Sequence, residues 1–259
     1  MESVATETRE KVGFITFDNP GKRNALSGKL LTEMVSAFER LRAARVPVVI
    51  LRTTPKAKVW SAGADINELQ KLAYDPFGYD TPLEQALRAV EGYPGPVIAL
   101  LRGGVWGKSC DLALTCDIAV GDPTCTFAIT PVKVGLPYNA SGILHFINRL
   151  GLNRAKEMFF TAEPIDAGRA LEFGILNHLV PAEELEDFAF RMARRIASHS
   201  SLAVAVIKEQ FRILSGAHPI SPDTFERIEE LRMHLRASHD YAEGIRAFLE
   251  KRAPNFRGE

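Results

Sequence analysis

The chain has no charge of one sign to spare: 32 lysines and arginines balance 32 aspartates and glutamates over 259 residues. With no long basic run, nothing favours a nucleic-acid partner or an anionic membrane surface. No apolar run approaches the ~20 residues that a membrane-spanning helix needs. Cysteine is scarce. Cys110, Cys116 and Cys125 are odd in number, lack C-x-x-C spacing and sit in or beside apolar runs, so they read as reduced core thiols rather than a disulfide framework. No His/Cys set has metal-ligand spacing, so no metal is expected. No charged-then-apolar leader opens the sequence, and a cytoplasmic protein is expected. Internal repeats and low-complexity segments are also lacking. What is present is an apolar fraction of 46%, enough for a sizeable core.

Two turns stand out. Gly103–Val120, read as GGVWGKSCDLALTCDIAV, follows the strand-like run Pro96–Leu101 and opens a short helix at Gly107-Lys108. Such a turn points backbone N–H groups outward at a helix N-terminus, where they stabilise negative oxygen. Val59–Asp65 (VWSAGAD) follows a second strand-like run, Val46–Arg52. Its small residues allow close approach to the backbone. Two such turns from neighbouring strands supply two N–H donors to one oxygen, a main-chain oxyanion hole.

Elsewhere, Val12–Asp18 alternates as a strand, and Met1–Lys11 reads as a frayed or edge segment. Ser27 is a natural N-cap for a helix whose Leu31, Met34, Val35, Phe38 and Leu41 share one face. Asp65 is placed to cap the helix after its turn. Further helices are expected over Pro82–Val90, from near Ser141, over Arg154–Thr161, Asp166–Phe173 and Ala182–Ala197, with short strands at Asp117–Val120, Cys125–Ile129 and Leu176–Val180. The last third is helical: Ser200–Leu214, Pro222–Ala237 and Asp240–Lys251. Apolar positions such as Phe225, Ile228, Leu231 and Leu235 need a surface to pack on.

The S-A-G-A-D-I loop, followed by a G-x-x-x-G-type turn and a helix ending in D-L-A-x-x-C-D-I, resembles the crotonase (enoyl-CoA hydratase/isomerase) superfamily over nearly the whole chain. The resemblance implies an α/β fold, a spiral of repeated ββα units over residues 1–198, with a C-terminal helical region, 199–259, that builds homotrimers or hexamers. It also implies an acyl-CoA substrate. The backbone N–H groups of Ala64 and Lys108 then hold the thioester carbonyl. Lys108 stands where the family usually has glycine, so its N–H serves only if the side chain points away. Lys22, Arg23, Ala25, Ala62, Gly63, Ala64, Asp65, Ile66, Gly107, Val132, Phe248 and Lys251 are the implied substrate and CoA contacts.

The residues around the reacting carbon narrow the chemistry. Hydratases of the superfamily use two carboxylates, and the matching positions are Asp111 and Val132. Valine moves no proton, so hydration is disfavoured. Thr130 and Tyr138, in T-P-V-x-x-G-x-P-Y-N, place hydroxyls there instead. That pattern, with VWG, GILNH and ELEDF, resembles decarboxylating members of the superfamily that turn methylmalonyl-CoA or close malonyl-type thioesters into propionyl-CoA and carbon dioxide through an enolate. Tyr138 and Thr130 would orient the carboxylate without pairing to it as ions. Asp111 is left either as a base or as a brace for its helix. No biotin or other cofactor is implied beyond CoA in the substrate. The competing expectations are another reaction of the superfamily, such as thioester hydrolysis or carbon–carbon cleavage, and a non-catalytic CoA- or RNA-binding homologue. None of the six histidines is assigned a catalytic role.

Overall fold

The computed structural model describes residues 3–65, 68, 81–216 and 221–257. Strand β1 (Val4–Arg9) pairs antiparallel with β2 (Val12–Phe17), so the polar N-terminal segment is an edge strand. Helix α1 (Gly28–Ala43) starts where Ser27 accepts a hydrogen bond from the Leu30 N–H. Leu30, Leu31, Met34, Ala37, Phe38 and Leu41 recur every three or four residues and form its buried stripe.

Three ββα turns follow. The first has β3 (Val48–Thr53), β4 (Val59–Ser61) and α2 (Pro82–Glu91). The second has β5 (Val97–Leu101), β6 (Gly104–Trp106) and α3 (Lys108–Thr115). The third has β7 (Ile118–Gly121), β8 (Thr126–Ala128), a 3-10 turn over Pro131–Val134 and α4 (Ala140–Leu150). The first strand of each turn joins a six-stranded sheet, β1-β2-β3-β5-β7-β10, and the second joins a four-stranded sheet, β4-β6-β8-β9. This alternation is the spiral that the resemblance implies. After α5 (Leu152–Thr161), β9 (Ile165–Asp166) closes the small sheet antiparallel to β8. Then come α6 (Ala167–Phe173), β10 (His178–Leu179) and α7 (Leu185–Ala197).

The larger sheet is covered on both faces, which is why its strands are apolar at nearly every position. Ile15, Val49, Leu51, Val97 and Ala99 join the main core beneath α1 and α2. Phe14, Val48, Ile50, Ile98 and Leu100 join a second cluster beneath α7 with Leu185, Ala189 and Ala193.

The C-terminal helices are α8 (Ser201–Ser215), α9 (Pro222–Arg236), capped by Ser221 with proline in its first turn, and α10 (His239–Leu249). α8 buries none of its residues. α10 returns to the core: Ile245 and Tyr241 pack with Leu136, Val134 and Ala64. A Cβ at position 244 would collide with the Val134 carbonyl, so only glycine lets this helix sit against the 3-10 turn. The expected apolar face of α9 is only partly borne out: Leu231 is exposed, and the Phe225 side chain lies outside the described residues.

Candidate active site

Strands β4, β6 and β8 are adjacent and parallel, so the segments leaving their carboxyl ends share one edge of the small sheet. These segments are Ala62–Asp65, Gly107-Lys108 and Ile129-Thr130. This edge is where open α/β sheets place ligands. The first two turns touch. Gly63 has φ +84°, and a Cβ there would lie 2.5 Å from the Trp106 carbonyl oxygen and 3.1 Å from the Lys108 nitrogen. Ser109, at the second position of α3, pins the turns together: its hydroxyl lies 2.8 Å from both the Ser61 and the Trp106 carbonyls. Lys108 is the first residue of α3, where N–H groups have no acceptor within the helix. On the other turn, Leu26 pairs with Ala64 in a parallel bridge in which the Leu26 N–H donates to the Gly63 carbonyl at 2.8 Å. That bond leaves the Ala64 N–H outside the ladder. Two backbone donors from two strands therefore stand at one edge.

Lys22–Leu26 runs beside the first turn, with the Ala62 N–H donating to the Arg23 carbonyl at 3.0 Å. Lys22 and Arg23 are exposed and Ala25 is half-buried. Asn24 is buried and holds this segment in place: its side-chain amide donates to the Val59 carbonyl at 3.2 Å, and its oxygen accepts from the Asn19 N–H at 2.8 Å. Asp65 is buried, 3.7 Å from the Lys22 ammonium. The helix that Asp65 was expected to cap, and Ile66, lie outside the described residues apart from Glu68.

Thr130 ends the segment after β8 and starts the 3-10 turn. Its hydroxyl lies 3.5 Å from where a Gly107 side chain would begin, at the second turn of the site. Val132, 48% exposed, leaves this position without a carboxylate. Tyr138 is buried, its ring packed edge-on against Phe146 and Phe159. Its hydroxyl is sealed from solvent and makes no hydrogen bond within the protein. Burial, followed by the charge of the adjacent Asp111, pushes the phenol well above the usual tyrosine range.

The Lys108 side chain does not turn out to solvent. It is 2% exposed and runs into a buried polar chain. Its ammonium lies 2.5 Å from Asn139 Oδ1, 3.4 Å from Asp111 Oδ2 and 3.8 Å from the centre of the Tyr138 ring. The Asn139 amide donates in turn to Glu84 Oε1 at 2.6 Å. Asp111 is fully buried, and its Oδ1 lies 2.7 Å from His145 Nδ1. His145 Nε2 reaches Glu91 Oε1 at 3.1 Å. Burial lowers the Lys108 pKa, against the opposing pull of Asp111 and Glu84. Burial alone would raise Asp111, but Lys108 and His145 outweigh it and hold the carboxyl below the ordinary range. For His145, burial is outweighed by Asp111 and Glu91, which raise the imidazole to about 10. Asp111 thus links α3 to α4 through its contacts with Lys108 and His145.

Phe248 and Lys251 sit at the end of α10; both are exposed, Phe248 by 52%. Ile245 and Tyr241, earlier on the same helix, pack with Ala64. Sequence reasoning passed over Ser109, Asn139, Glu84, Glu91 and His145. The Lys108–Asp111 pair had a signal, since a spacing of three on a helix faces two charges together. The His145–Asp111 contact had none, being made across two helices. Among the described residues no group of three His, Cys, Asp or Glu side chains is arranged to hold a metal ion.

Residues 7–259 match the family profile described as enoyl-CoA hydratase/isomerase. The chain is 44% identical over 255 residues to a methylmalonyl-CoA decarboxylase of Escherichia coli K12, across 98% of both chains. It is 30% identical over 258 residues to that organism's 2,3-dehydroadipyl-CoA hydratase, across 100% of both. Among solved structures, a methylmalonyl-CoA decarboxylase in complex with 2-nitronate-propionyl-CoA superposes with a TM-score of 0.96 at 44% identity, covering 99% of each chain. Another such decarboxylase, complexed with 2S-carboxypropyl CoA, superposes with a TM-score of 0.97 at 43% identity, covering 100% of this chain and 99% of the other.

Proposed function

This chain belongs to the enoyl-CoA hydratase/isomerase family, and from that premise we propose that it decarboxylates methylmalonyl-CoA, or a close malonyl-type thioester, to propionyl-CoA and carbon dioxide. One observation carries the choice of reaction: the turns at Ala64 and Lys108 abut, while the second carboxylate of a hydratase is replaced by Val132. The thioester oxygen lies between the Ala64 and Lys108 N–H groups. The pair of electrons from the breaking carbon–carbon bond moves onto that oxygen, and the two N–H groups stabilise the enolate. Tyr138 and Thr130 hold the departing carboxylate out of the thioester plane.

A lysine beside this carboxylate would oppose the reaction by stabilising the ground state. The Lys108 ammonium is instead engaged by Asn139 and Asp111, which offsets its charge. Asp111, paired to Lys108 and His145, supports the decarboxylase reading over one in which it acts as a free base. Lys22, Arg23 and Ala25 take the CoA portion, with Phe248 and Lys251 closing over it. The scheme calls for no cofactor, and the three buried thiols suit a reducing cytoplasm. Leu202, Val206, Phe211 and Leu214, exposed on α8, form the surface on which copies of the chain meet. Sedimentation giving a mass of three or six chains is expected; a monomer at micromolar concentration would refute this arrangement.

The test offers methylmalonyl-CoA, malonyl-CoA, ethylmalonyl-CoA and crotonyl-CoA, and reads carbon dioxide and thioester mass. Methylmalonyl-CoA is expected to give propionyl-CoA, with crotonyl-CoA unchanged. Tyr138→Phe lowers the rate by about 10²-fold, the effect of losing one positioned donor. It leaves thermal stability unchanged or slightly raised, because the deleted hydroxyl has no partner in the folded chain. Hydration of crotonyl-CoA would overturn the reading.

A further inference from the structure

Loss of carbon dioxide leaves an enolate carbon that must gain a proton, so each turnover consumes one. A cavity of about 530 Å³ lies between α8 and the core, away from the turns of the site, and Glu91 and His145 are both in its wall. From there the polar chain runs inward: Glu91 Oε1 to His145 Nε2 at 3.1 Å, and His145 Nδ1 to Asp111 Oδ1 at 2.7 Å. Asp111 Oδ2, Asn139 Oδ1 and the Tyr138 ring edge converge on the space beside Gly142. The chain thus runs from a cavity at His145 to the space shared by Asp111 and the Tyr138 ring beside Gly142.

Resting on the decarboxylase reading, we propose that Glu91, His145 and Asp111 form a relay that returns to Tyr138 the proton it gives to the substrate carbon, drawing it from water in this cavity. The bookkeeping of bonds closes. When carbon dioxide leaves, the enolate carbon lies next to the hydroxyl that held the carboxylate. The C–H bond forms as the Tyr138 O–H breaks, with the enolate electrons supplying the new bond. The phenolate is then faced by the Lys108 ammonium, 3.8 Å from the ring centre. Asp111 takes a proton from His145 Nδ1 and, once neutral, closes on the nearby phenolate, whose resting hydroxyl makes no hydrogen bond within the protein, and gives the proton up. His145, left protonated at Nε2 alone, turns in the cavity wall so that its bare Nδ1 takes a proton from water beside Glu91. The net change is one proton from solvent for each carbon dioxide released.

The charges around His145 fit this direction of flow. Lys108 lies beyond Asp111 on α3, and Glu84 and Glu91 come from α2. The cations that line the cavity are held by other partners: Arg149 by the Gly174 carbonyl and Asn177, Lys208 by Asp117, and Arg212 by Glu209. The imidazole, raised to about 10, carries its proton at neutral pH. Tyr138 is the catalytic residue of this scheme; Glu91, His145 and Asp111 act through it.

The experiment runs the reaction on one enantiomer of methylmalonyl-CoA in deuterium oxide and reads the rate and the configuration of the C2-deuterated propionyl-CoA. The unaltered protein is expected to place deuterium on the face the carboxylate left. His145→Gln keeps a donor for Asp111 but moves no proton. Glu91→Gln changes a half-exposed residue, so its fold is not at risk. Both are expected to lower kcat by about tenfold, a fraction of what general acid catalysis supplies. They are also expected to erode the facial preference, because solvent then reaches the enolate from either side. Variants that slow turnover yet keep full facial preference would overturn the relay and leave the decarboxylase reading intact. No carbon dioxide from the unaltered protein would overturn both.

Discussion

Gly63→Ala is expected to lower kcat by about 10²–10³-fold, the effect of losing one oxyanion donor, or about 2.7–4 kcal/mol in the barrier. The methyl group has nowhere to go. It would start 2.5 Å from the Trp106 carbonyl oxygen and 3.1 Å from the Lys108 nitrogen, so the two turns must part. The residue also holds φ +84°, a conformation that costs an alanine about 1–2 kcal/mol. Separation by a few tenths of an ångström is enough to spoil a site in which both donors must reach one atom. Initial rates with methylmalonyl-CoA, together with a thermal melt to show that the fold persists, decide the matter. A folded variant that keeps its rate within about threefold would mean that the thioester oxygen does not sit between these turns.

Lys108→Met is expected to destabilise the protein by about 3 kcal/mol at neutral pH. That lies at the lower end of what breaking a buried ion pair costs, since His145 still faces Asp111. Methionine fills similar space, so the loss reports the charge rather than a cavity. It strands Asn139 Oδ1, which accepts from the ammonium at 2.5 Å, and removes one of the groups that hold the Asp111 carboxyl low. The pH dependence has a definite sign. A carboxyl whose folded pKa is depressed stabilises the fold above its ordinary pKa of about 3.8, and that contribution is lost as the pH falls. With Lys108 gone the depression is smaller, so the gap between the two proteins narrows below about pH 4. Urea unfolding at pH 7 and at about pH 3 measures it. Equal stability at pH 7 would show that the buried ammonium contributes nothing net.

Much of the scaffold is legible in the sequence. α1, with a wide apolar stripe and a capping serine, declares itself through side-chain periodicity and Ser27, and α9 through the Ser221 cap and the proline that follows it. The buried strands β3 and β5 do so by unbroken apolar runs. β4, β6 and β8 are three residues each, too short for alternation to show, so the second sheet is not visible from pattern. The site divides in the same way. Its turns are local, made of glycine and small residues in order, and Thr130 falls beside them as expected. Its polar lining is not local. Asn139 meets Glu84, and His145 meets Asp111 and Glu91, through packing of α4 against α2 and α3, which no spacing in the chain records. The inward turn of Lys108 is of that kind too: Asn139 and Tyr138, which lead into α4, join Asp111 in deciding where its ammonium goes.

The order β4-β6-β8 has a consequence for how such a protein changes over generations. Each strand closes a different lap of the spiral, so the donor at Ala64, the donor at Lys108 and the groups after Thr130 are carried by separate modules. On the proposed reading, a substitution after β8, at Val132 for example, changes what faces the reacting carbon while the two donor turns stay as they are. Inheritance can then treat the first two laps as a fixed tool and the third as an interchangeable bit.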